Sequence, residues 1–430
     1  MQALYLPASN TSPAGNEPQS YKGKAMGSCV IVGASHAAAQ LVVSLRQQGW
    51  EGEIVLVGDE PHLPYHRPPL SKTFLSGDKG LEDILIRPAS AYEKANVTLR
   101  LGQRVAALNS VDKTLTIDNG DVIHFEKLVL ATGSRARQIS LPGADKAGVF
   151  YLRNVGDVNG IRALIGTGKR AVIIGGGYIG LESAAAMRAM GMEVTVLEAM
   201  SRVLQRITAP EISAFYQRIH TEEGVNVQTD VVIRSIEGDA SVTGVQCEDG
   251  LFYPADVVIV GIGIVPNIEL AESAGIQIEN GIVVNEYCES SHPDILAVGD
   301  CTYHFNPIYG RQLRLESVQN AVDQAKVAAA TVAGKREPYA ALPWFWSDQY
   351  NLKLQIAGLS QGFDQVVVRG DINNSRKFAA FYLQAGKLLA VDAINSPLEF
   401  MLGKRLLTLG ISPDPSVLAD TDFDLKSLLG

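Results

Sequence analysis

Cysteine is scarce in this 430-residue sequence, and the spacing of its cysteines excludes several kinds of site. Cys29, Cys247, Cys288 and Cys301 form no CxxC pair and no metal-ligand spacing. We therefore predict no metal centre and no disulfide framework. The same pattern favours a reducing, cytoplasmic compartment in which most of these thiols fill the core.

Long apolar runs are also lacking. No stretch of about 18 consecutive apolar residues occurs, so no membrane span is expected. The first 26 residues contain Pro, Gly, Ser and Asn without the apolar segment of a signal peptide. That composition predicts a flexible N-terminal extension at residues 1–26.

Positive charge is in deficit, because 37 Lys and Arg face 46 Asp and Glu, for a net charge of −9. A nucleic-acid partner needs a basic surface to neutralise phosphate, so nucleic acid is disfavoured as a partner. Hydrophobic residues make up 46% of the chain, enough to fill the cores of about two or three domains.

A glycine fingerprint at residues 172–182, VIIGGGYIGLE, is the strongest motif. Apolar β-formers run into glycines at G-x-G-x-x-G spacing, and the Ala-rich run that follows predicts a helix. Such a strand, turn and helix start bring backbone N–H groups close to a pyrophosphate. The predicted nucleotide contacts are Gly175, Gly177, Tyr178, Ile179 and Gly180.

The surroundings of this fingerprint favour NADH. The next predicted strand ends in Glu198, at about the 20-residue distance expected of an acid that binds a ribose 2′-hydroxyl. A carboxylate there repels the 2′-phosphate of NADPH. The later strand at 257–260 runs into Gly261-Ile262-Gly263, which permits close approach of a flat ring. A glycine-rich turn in an ordinary α/β domain is the alternative.

A weaker copy of the motif stands near the start of the chain. A strand at 28–32 meets Gly33, but Ser35 and Ala38 replace the second and third glycines. Both residues are small, and the Ser35 hydroxyl can donate to a phosphate. The strand at 53–57 is followed by Asp59, an acid for a second ribose. Two dinucleotide folds imply two dinucleotides, of which one is a bound flavin.

The remaining segments predict further strands and a separate C-terminal unit. Alternating apolar segments at 105–130 are broken by Asp118-Asn119-Gly120-Asp121, which indicates a hairpin. The strand at 127–130 ends in a small-residue turn at 131–134 that either approaches a cofactor or is a plain strand exit. After Gly334, runs at 352–357, 365–368, 378–383 and 387–393 predict antiparallel strands.

Taken in order, these motifs resemble the FAD-dependent ferredoxin reductases that serve oxygenases. The resemblance covers about residues 28–410 and includes the run PYHRPPLSK at 64–72 and PWFWSDQY at 343–350. It implies an α/β, glutathione-reductase-like fold with two Rossmann-like dinucleotide-binding domains and a C-terminal α+β domain. The implied domains are a discontinuous FAD-binding domain at 27–147 and 266–335, an inserted NADH-binding domain at 148–265, and a C-terminal interface domain at 336–430.

The same resemblance implies the residues of the site. Lys72, Glu182 and Trp346 would act at the flavin, with Glu182 beside Lys72 on the nicotinamide side and Trp346 covering the ring. Alternatively, Glu182 only compensates the first turn of its helix, Lys72 is a solvated surface charge, and Trp346 is a core residue. The FAD contacts would be Gly33, Ser35, Ala37, Ala38, Asp59, Arg67, Lys72, Val105, Ala131, Thr132, Gly133, Arg153, Gly299, Asp300, Val318 and Trp346.

The implied reaction passes hydride from NADH to FAD and single electrons onward to a [2Fe-2S] ferredoxin of the putidaredoxin type, which feeds an oxygenase. Lys72 would stabilise the negative charge of the reduced flavin. Between Gly33 and Lys72 the chain has no cysteine, whereas flavin disulfide reductases carry a CxxxxC pair there. That absence disfavours disulfide reduction and a plain NADH oxidase.

The resemblance also implies a ferredoxin partner, and other functions remain as alternatives. Ferredoxins of this kind are acidic, so docking on an acidic reductase needs a local basic face, for which Lys326, Lys404 and Arg405 are candidates. Solvated surface charge is the other explanation of these three residues. We expect a monomer or a weak dimer. A rubredoxin or monodehydroascorbate-type reductase, or a slow NADH-sensing flavoprotein, would use the same two cofactor sites.

Overall fold

The structure, a computed structural model, describes residues 27–429. The predicted extension at residues 1–26 lies outside the described residues. The strands are β1 (Ser28–Val32), β2 (Glu53–Gly58), β3 (Val97–Leu101), β4 (Val105–Asn109), β5 (Thr114–Ile117), β6 (Val122–His124), β7 (Lys127–Leu130), β8 (Ser134–Ala136), β9 (Val149–Phe150), β10 (Arg170–Ile174), β11 (Glu193–Leu197), β12 (Asn226–Gln228), β13 (Ile233–Glu237), β14 (Gly244–Cys247), β15 (Phe252–Pro254), β16 (Val257–Val260), β17 (Ile264–Pro266), β18 (Ile282–Val284), β19 (Ile295–Ala297), β20 (Thr302–Asn306), β21 (Arg311–Leu313), β22 (Trp344–Gln349), β23 (Leu352–Gly358), β24 (Gln365–Gly370), β25 (Phe378–Gln384) and β26 (Lys387–Ile394). The α-helices are α1 (His36–Gln47), α2 (Ala89–Lys94), α3 (Val155–Arg162), α4 (Tyr178–Ala189), α5 (Pro210–Glu222), α6 (Glu269–Ser273), α7 (Val318–Val332), α8 (Pro397–Leu409) and α9 (Pro415–Ala419).

A parallel sheet in the order β19-β7-β1-β2-β3 forms the first unit. Its central strands β1 and β2 are nearly continuous apolar runs, because helices α1 and α7 cover one face of the sheet and the β4–β6 sheet covers the other. Strand β19 and helix α7 come from far along the chain. The first unit is therefore built from two separate segments.

A second parallel sheet, in the order β12-β11-β10-β16-β9, lies between those two segments in the sequence. Helix α4 follows β10 directly, as the glycine fingerprint predicts. Strands β8 and β17 pair antiparallel where the chain enters and leaves this unit. Thr132 and Asn267 reinforce the crossing, because the Thr132 hydroxyl donates to the Asn267 carbonyl at 2.7 Å and the Asn267 amide donates back at 2.8 Å.

The C-terminal unit is an antiparallel sheet in the order β22-β23-β26-β25-β24. Helix α8 packs on one face of this sheet. The other face joins a core that also contains side chains of the second unit and of the loop at residues 65–85. The predicted strands of this unit are all present, whereas β22, α8 and α9 are additional to the prediction.

The predicted fold class is confirmed, with two Rossmann-like parallel sheets and a sheet-rich C-terminal unit. The predicted turn at 118–121 does join two antiparallel strands, β5 and β6. The domain boundaries given above remain a prediction. What matters for the site is that the carboxyl end of the first parallel sheet, the start of helix α4 and strand β22 border one cleft.

Candidate active site

A cleft of about 400 Å³ opens where the three units meet. Most of the residues that the sequence analysis assigns to the flavin line it. Those residues are Gly33, Ser35, Ala37, Asp59, Arg67, Lys72, Ala131, Thr132, Gly133, Arg153, Gly299, Asp300, Val318 and Trp346, joined by Tyr178, Ile179 and Glu182 from helix α4. Ala38 and Val105 are not among the residues that line this cleft, and their side chains are buried in α1 and β4.

The first fingerprint forms a cradle that only glycine can occupy at its start. Gly33 has φ +106°, and a Cβ there would lie 2.1 Å from the Ala131 carbonyl oxygen. Ser35 precedes helix α1, whose first turn contains no acidic residue and receives no side-chain cap from Ser35. The free backbone N–H groups at this helix start therefore point at the cleft, as a pyrophosphate site requires.

The second fingerprint repeats this geometry. Gly175 also has φ +106°, and a Cβ there would lie 2.5 Å from the Gly261 carbonyl oxygen. A Cβ on Gly180 would lie 2.1 Å from the carbonyl oxygen of Gly175, so helix α4 packs tightly against β10. Gly177 has no neighbouring atom within 4 Å of its Cβ direction, which leaves the helix start open. Both cradles therefore fit a dinucleotide pyrophosphate.

The other residues assigned to NADH gather around this second cradle. Gly261 belongs to the exit of β16 and touches Gly175, and Ile262 and Gly263 follow it. Gly263 has φ +104° with open space around it, which leaves room for a ring to approach. The structure thus brings these residues together at the carboxyl edge of the second sheet.

Glu198 follows β11, and its carboxylate is fixed by two backbone donors. The Gly176 N–H donates to one oxygen at 2.7 Å, and the Met200 N–H donates to the other at 2.8 Å. Each oxygen keeps a second lone pair for a further donor. The acid is therefore held beside the second cradle with capacity left for a ribose hydroxyl.

Lys72 and Glu182 form an ion pair in the cleft, with Nζ 2.7 Å from Oε2. The Ser71 hydroxyl also donates to Oε2, and the Ser347 hydroxyl donates to Oε1, each at 2.6 Å. Glu182 is only 5% exposed and is the fifth residue of α4, so it does not serve the first turn of that helix. Three donors compensate the buried carboxylate, and they come from two other units of the fold.

Trp346 lies on β22, half-buried, with its side chain lining the cleft rather than the core. Its ring packs against Trp344 at 5.6 Å between centroids. The neighbouring Phe345 also lines the cleft and packs on Tyr178 at 5.0 Å. An aromatic wall therefore closes the cleft on the side of the C-terminal unit.

Asp300 enters the cleft after β19. It accepts a hydrogen bond from Ser134 Oγ at 2.9 Å, and Arg153 lies 3.6 Å away. The same serine hydroxyl accepts from Arg153 at 2.9 Å. Burial lowers the pKa of Arg153, and the carboxylate of Asp300 opposes that shift. These three side chains position one another at the edge of the cofactor cleft.

Arg67 does not project freely into the cleft. It forms an ion pair with Glu60, donates to the Tyr65 hydroxyl at 2.7 Å, and donates to the Arg153 carbonyl at 3.0 Å. Glu60 also lines the cleft, although only its neighbour Asp59 was assigned a cofactor contact from the sequence. Its position beside the predicted ribose acid Asp59 was the available signal.

His36 is a cleft residue that the sequence analysis missed. It begins helix α1, is 8% exposed, and lies with its Nε2 3.3 Å from His66 Nδ1. Burial lowers the pKa of His36 to about 3, and the neighbouring His66, Arg67 and Arg153 add to the shift. The imidazole is therefore neutral at physiological pH. His36 occupies a position of the fingerprint at which any residue type is allowed, so the sequence did not indicate that it lines the cleft.

Thiols take no part in this cleft. All four cysteines are buried, and burial raises the pKa of Cys29 to about 12. None of them lines the cleft. Residues 27–429 contain no group of His, Cys, Asp and Glu side chains arranged to hold a metal ion. Over the same range no helix is long and apolar enough to cross a bilayer.

Two cradles that fit a pyrophosphate, an acid held beside the second cradle and a buried Lys–Glu pair together define an oxidoreductase that uses two dinucleotides. Comparison with known sequences and structures gives the family. Residues 27–325 match the model of the pyridine nucleotide-disulphide oxidoreductases, and residues 344–429 match a reductase C-terminal domain.

The relatives agree with these matches. Putidaredoxin reductase of Pseudomonas putida is 43% identical over 93% of this chain and 96% of its own length. The ferredoxin–NAD(+) reductase component of the anthranilate 1,2-dioxygenase system of Burkholderia cepacia is 41% identical over 93% of this chain and 98% of its own. The crystal structure of the covalent putidaredoxin reductase–putidaredoxin complex matches with a TM-score of 0.91 at 42% identity, covering 94% of this chain and 99% of that one.

The chain therefore belongs to the pyridine nucleotide-disulphide oxidoreductases, among the ferredoxin reductases of that family. This confirms the family resemblance stated from the sequence. Its cofactors are FAD and NAD(H), and the two cradles fit them. The individual site residues remain assigned by geometry and by resemblance.

Proposed function

We propose that this chain is the NADH-dependent reductase of an oxygenase system and delivers single electrons to a [2Fe-2S] ferredoxin. The observation that carries the proposal is the cleft itself, which is lined by the first dinucleotide cradle, the start of helix α4 and the Lys72–Glu182 pair, and by no cysteine. The family's disulphide chemistry needs thiols at the flavin, so electrons must leave this cleft for an external acceptor. The named activities of the relatives support a ferredoxin as that acceptor.

We assign different roles to different residues around the cleft. Bound FAD supplies the conversion of a hydride donor into single electrons. The backbone around Gly33 and the start of α1 would hold its pyrophosphate, with Asp59 at the ribose and Asp300 at the ribityl chain. Lys72 places a fixed positive charge where negative charge develops, and Trp346 excludes water from the ring. The cradle at Gly175 and the Glu198 carboxylate would bind NADH.

The domain division follows the sheets. We assign residues 27–147 and 266–335 to the FAD-binding domain, since β1, β2, β3, β7 and β19 share one sheet. Residues 148–265 contain the second parallel sheet and make the NADH-binding domain. Residues from 336 onward make the C-terminal domain, whose strand β22 closes the cleft.

The docking face for the ferredoxin is proposed on helix α8. Lys404 and Arg405 lie on this helix, and Lys404 Nζ sits 5.2 Å from the centre of the Trp344 ring, which packs in turn on Trp346. Met401 on the same helix is 61% exposed. A basic and apolar surface next to the aromatic wall fits an acidic carrier.

Lys326 is a weaker candidate for this face than the two residues on α8. It forms an ion pair with Asp323 at 2.9 Å, which offsets its charge. We keep it as a contact at the margin of the docking face. We also propose that the protein is cytoplasmic and that it is a monomer or a weak dimer.

Anaerobic mixing tests the function. Protein loaded with FAD should bleach rapidly with NADH and much less with NADPH, and its colour should return when an oxidised putidaredoxin-type ferredoxin is added. Recovery many times per second would agree with an enzyme, since catalysts typically turn over about 1 to 1000 times per second. Bleaching without recovery would overturn ferredoxin as the acceptor, and rubredoxin would then be tried. Slow bleaching would instead favour an NADH-sensing flavoprotein.

A further inference from the structure

Glu182 is the end of a chain of hydrogen bonds that leads away from the cleft. Ser347 Oγ donates to Glu182 Oε1 at 2.6 Å, and Gln349 Nε2 donates to Ser347 Oγ at 3.2 Å. Gln349 Oε1 lies 2.8 Å from His220 Nε2, and His220 Nδ1 lies 3.1 Å from the Tyr350 hydroxyl. Five side chains are thus connected without a break.

The chain crosses the boundary between two units. Ser347 and Gln349 are alternate residues of β22, so both project from the same face of that strand. His220 stands in the last turn of α5, in the second unit. These three side chains are at most 2% exposed, and only Tyr350 at the far end is partly open to solvent.

The hydrogen bonds fix the direction of every donor. Ser347 has one proton, which it gives to Glu182, so its oxygen accepts from the amide of Gln349. The carbonyl of Gln349 therefore faces His220, and His220 must carry its proton on Nε2. His220 Nδ1 is then left as an acceptor for the Tyr350 hydroxyl. Burial lowers the pKa of His220 to about 4, which agrees with a neutral ring.

All four donors point in the same sense, towards the carboxylate of Glu182. Aligned hydrogen bonds polarise one another, and they act more strongly in a buried site than in water. A carboxylate at the acceptor end gains most from such an alignment because its hydrogen bonds are charge-assisted. The far residues of the chain can therefore influence the cleft although they do not touch it.

We propose that His220 and Gln349 are positioning residues that act through Ser347 to hold Glu182 as an oriented carboxylate for Lys72. The inference rests on the proposed role of the Lys72–Glu182 pair at the flavin. Strand β22 also carries Trp346, so the same contacts set both the aromatic wall and the ion pair. Docking of the C-terminal unit onto α5 thereby completes the active cleft.

The charged and titratable surroundings of the chain are few. Glu182 faces Lys72 from the first unit and the hydroxyls of Tyr178 and Tyr216 from the second, and those hydroxyls also face Asp392 of the C-terminal unit, with Asp348 near Tyr216. His220 faces Glu223 on its own element. Around Tyr350 at the outer end lie Glu223, Arg188 and Arg376.

Histidine tautomers in the FAD-loaded enzyme test the direction of the chain without any measurement of activity. With ¹⁵N-labelled histidine, the signals of His220, assigned by their loss in His220→Phe, should show a neutral ring protonated on Nε2 from pH 6 to 8. Protonation on Nδ1, or an imidazolium at pH 7, would reverse or break the chain and overturn the proposal. This result does not depend on whether a ferredoxin is reduced, so the two proposals fail separately.

Substitutions test the effect on the cleft. Gln349→Glu introduces an acceptor that draws the Ser347 proton away from Glu182, while His220→Phe removes the donor to Gln349. In both variants, the acidic limb of the pH profile for the rate of flavin bleaching by NADH should move to higher pH by about one unit. A shift of that size corresponds roughly to the loss of one hydrogen bond to a charged group. Thr221→Ala is the matched control, because this exposed neighbour on α5 bonds only to the helix backbone at Gln217.

A merely structural fastening of β22 to α5 predicts a different result. The variants would then have a lower thermal midpoint, but the pH profile of flavin bleaching would be the same as in the unsubstituted enzyme. This outcome would refute the proposal. If His220→Phe fails to fold, Gln349→Glu decides alone, since it keeps the size and shape of the side chain. Restoration of the profile by Gln349→Asn is not expected, because the shorter amide cannot reach both neighbours.

Discussion

Lys72 is the cation that pairs with Glu182 in the cleft, and it is the first residue whose removal should be felt in the reaction. Lys72→Met keeps the length of the side chain and deletes the charge. We expect flavin reduction by NADH to slow by about ten- to a hundredfold, because a fixed charge beside developing negative charge is lost. Anaerobic stopped-flow absorbance measures this step directly.

The control for Lys72→Met is Lys79→Met, on the same loop but exposed to solvent. Lys79→Met should bleach at the unsubstituted rate. If Lys72→Met also bleached at that rate, Lys72 would have no part in the reduction step. The pairing with Glu182 would then serve only to neutralise a buried acid.

Glu198 is the residue that should select between the two nicotinamide cofactors. Its carboxylate is fixed by the backbone of Gly176 and Met200 and would repel a 2′-phosphate. Glu198→Gln keeps the shape and removes the charge, so the preference for NADH over NADPH should fall by about tenfold. Ratios of kcat/KM for the two cofactors give the answer, with Glu193→Gln, at the exposed start of β11, as control. An unchanged ratio would assign the selection to other residues.

Helix α8 is the element on which the docking proposal depends. Reversing two charges, in Lys404→Glu with Arg405→Glu, should lower kcat/KM for ferredoxin by about tenfold or more at low salt. The rate of bleaching by NADH should not change, because α8 lies outside the cleft. The double variant Lys169→Glu with Lys94→Glu, at two exposed positions away from α8, changes the net charge by the same amount and is the control.

Ionic strength gives the second measurement on α8. The unsubstituted enzyme should lose apparent affinity for ferredoxin as salt rises, since opposite charges are screened over about 10 Å at 0.1 M. The double variant should lose much of that dependence. A salt-independent affinity in the unsubstituted enzyme would rule out the basic face as a steering surface.

Elements with a local signal were predictable from the sequence, and elements without one were not. The starts of α1 and α4 follow from the glycines at 33 and 175, whose backbone conformation no other residue adopts easily. Strand β22 was recognised only as a motif, because its WFWSDQ sequence lacks the alternation of a half-buried strand. Its pairing partner β23 follows it directly in the sequence, whereas its contact with α5 depends on His220, 129 positions away.

The same distinction holds within the site. Lys72 and Glu182 were paired from family resemblance, while nothing local in the sequence signals that Ser71 and Ser347 complete the contacts of Glu182. Serines are common, and these two come together with Glu182 only when three units assemble. Hydrogen-bond partners from separate units are invisible to periodicity and spacing.

At the scale of the whole molecule, the C-terminal sheet and the second unit share a core that contains a buried acid. Asp392 on β26 is 1% exposed and accepts a hydrogen bond from the Tyr382 hydroxyl. The hydroxyls of Tyr178 and Tyr216 lie in the same core and have no hydrogen-bond partner within residues 27–429. Burial raises the pKa of Asp392 to about 7. The contact between units therefore contains a group that titrates near physiological pH.

The stability of the assembled molecule should depend on this acid. Asp392 binds its proton more tightly in the folded chain than in the unfolded one, so folding takes up a proton between about pH 4 and pH 7. The free energy of unfolding should fall across that window as the pH rises, by at most about 4 kcal/mol. Asp392→Asn cannot ionise and should remove this part of the slope, leaving the variant relatively more stable at pH 8 than at pH 5. Thermal midpoints of both proteins between pH 5 and 8 measure the difference, with the exposed Asp239→Asn as control. If the thermal midpoints of Asp392→Asn and the unsubstituted chain vary with pH in parallel, Asp392 is ionised in the core throughout. The hydroxyls of Tyr178 and Tyr216 would then be the candidate donors that stabilise its charge.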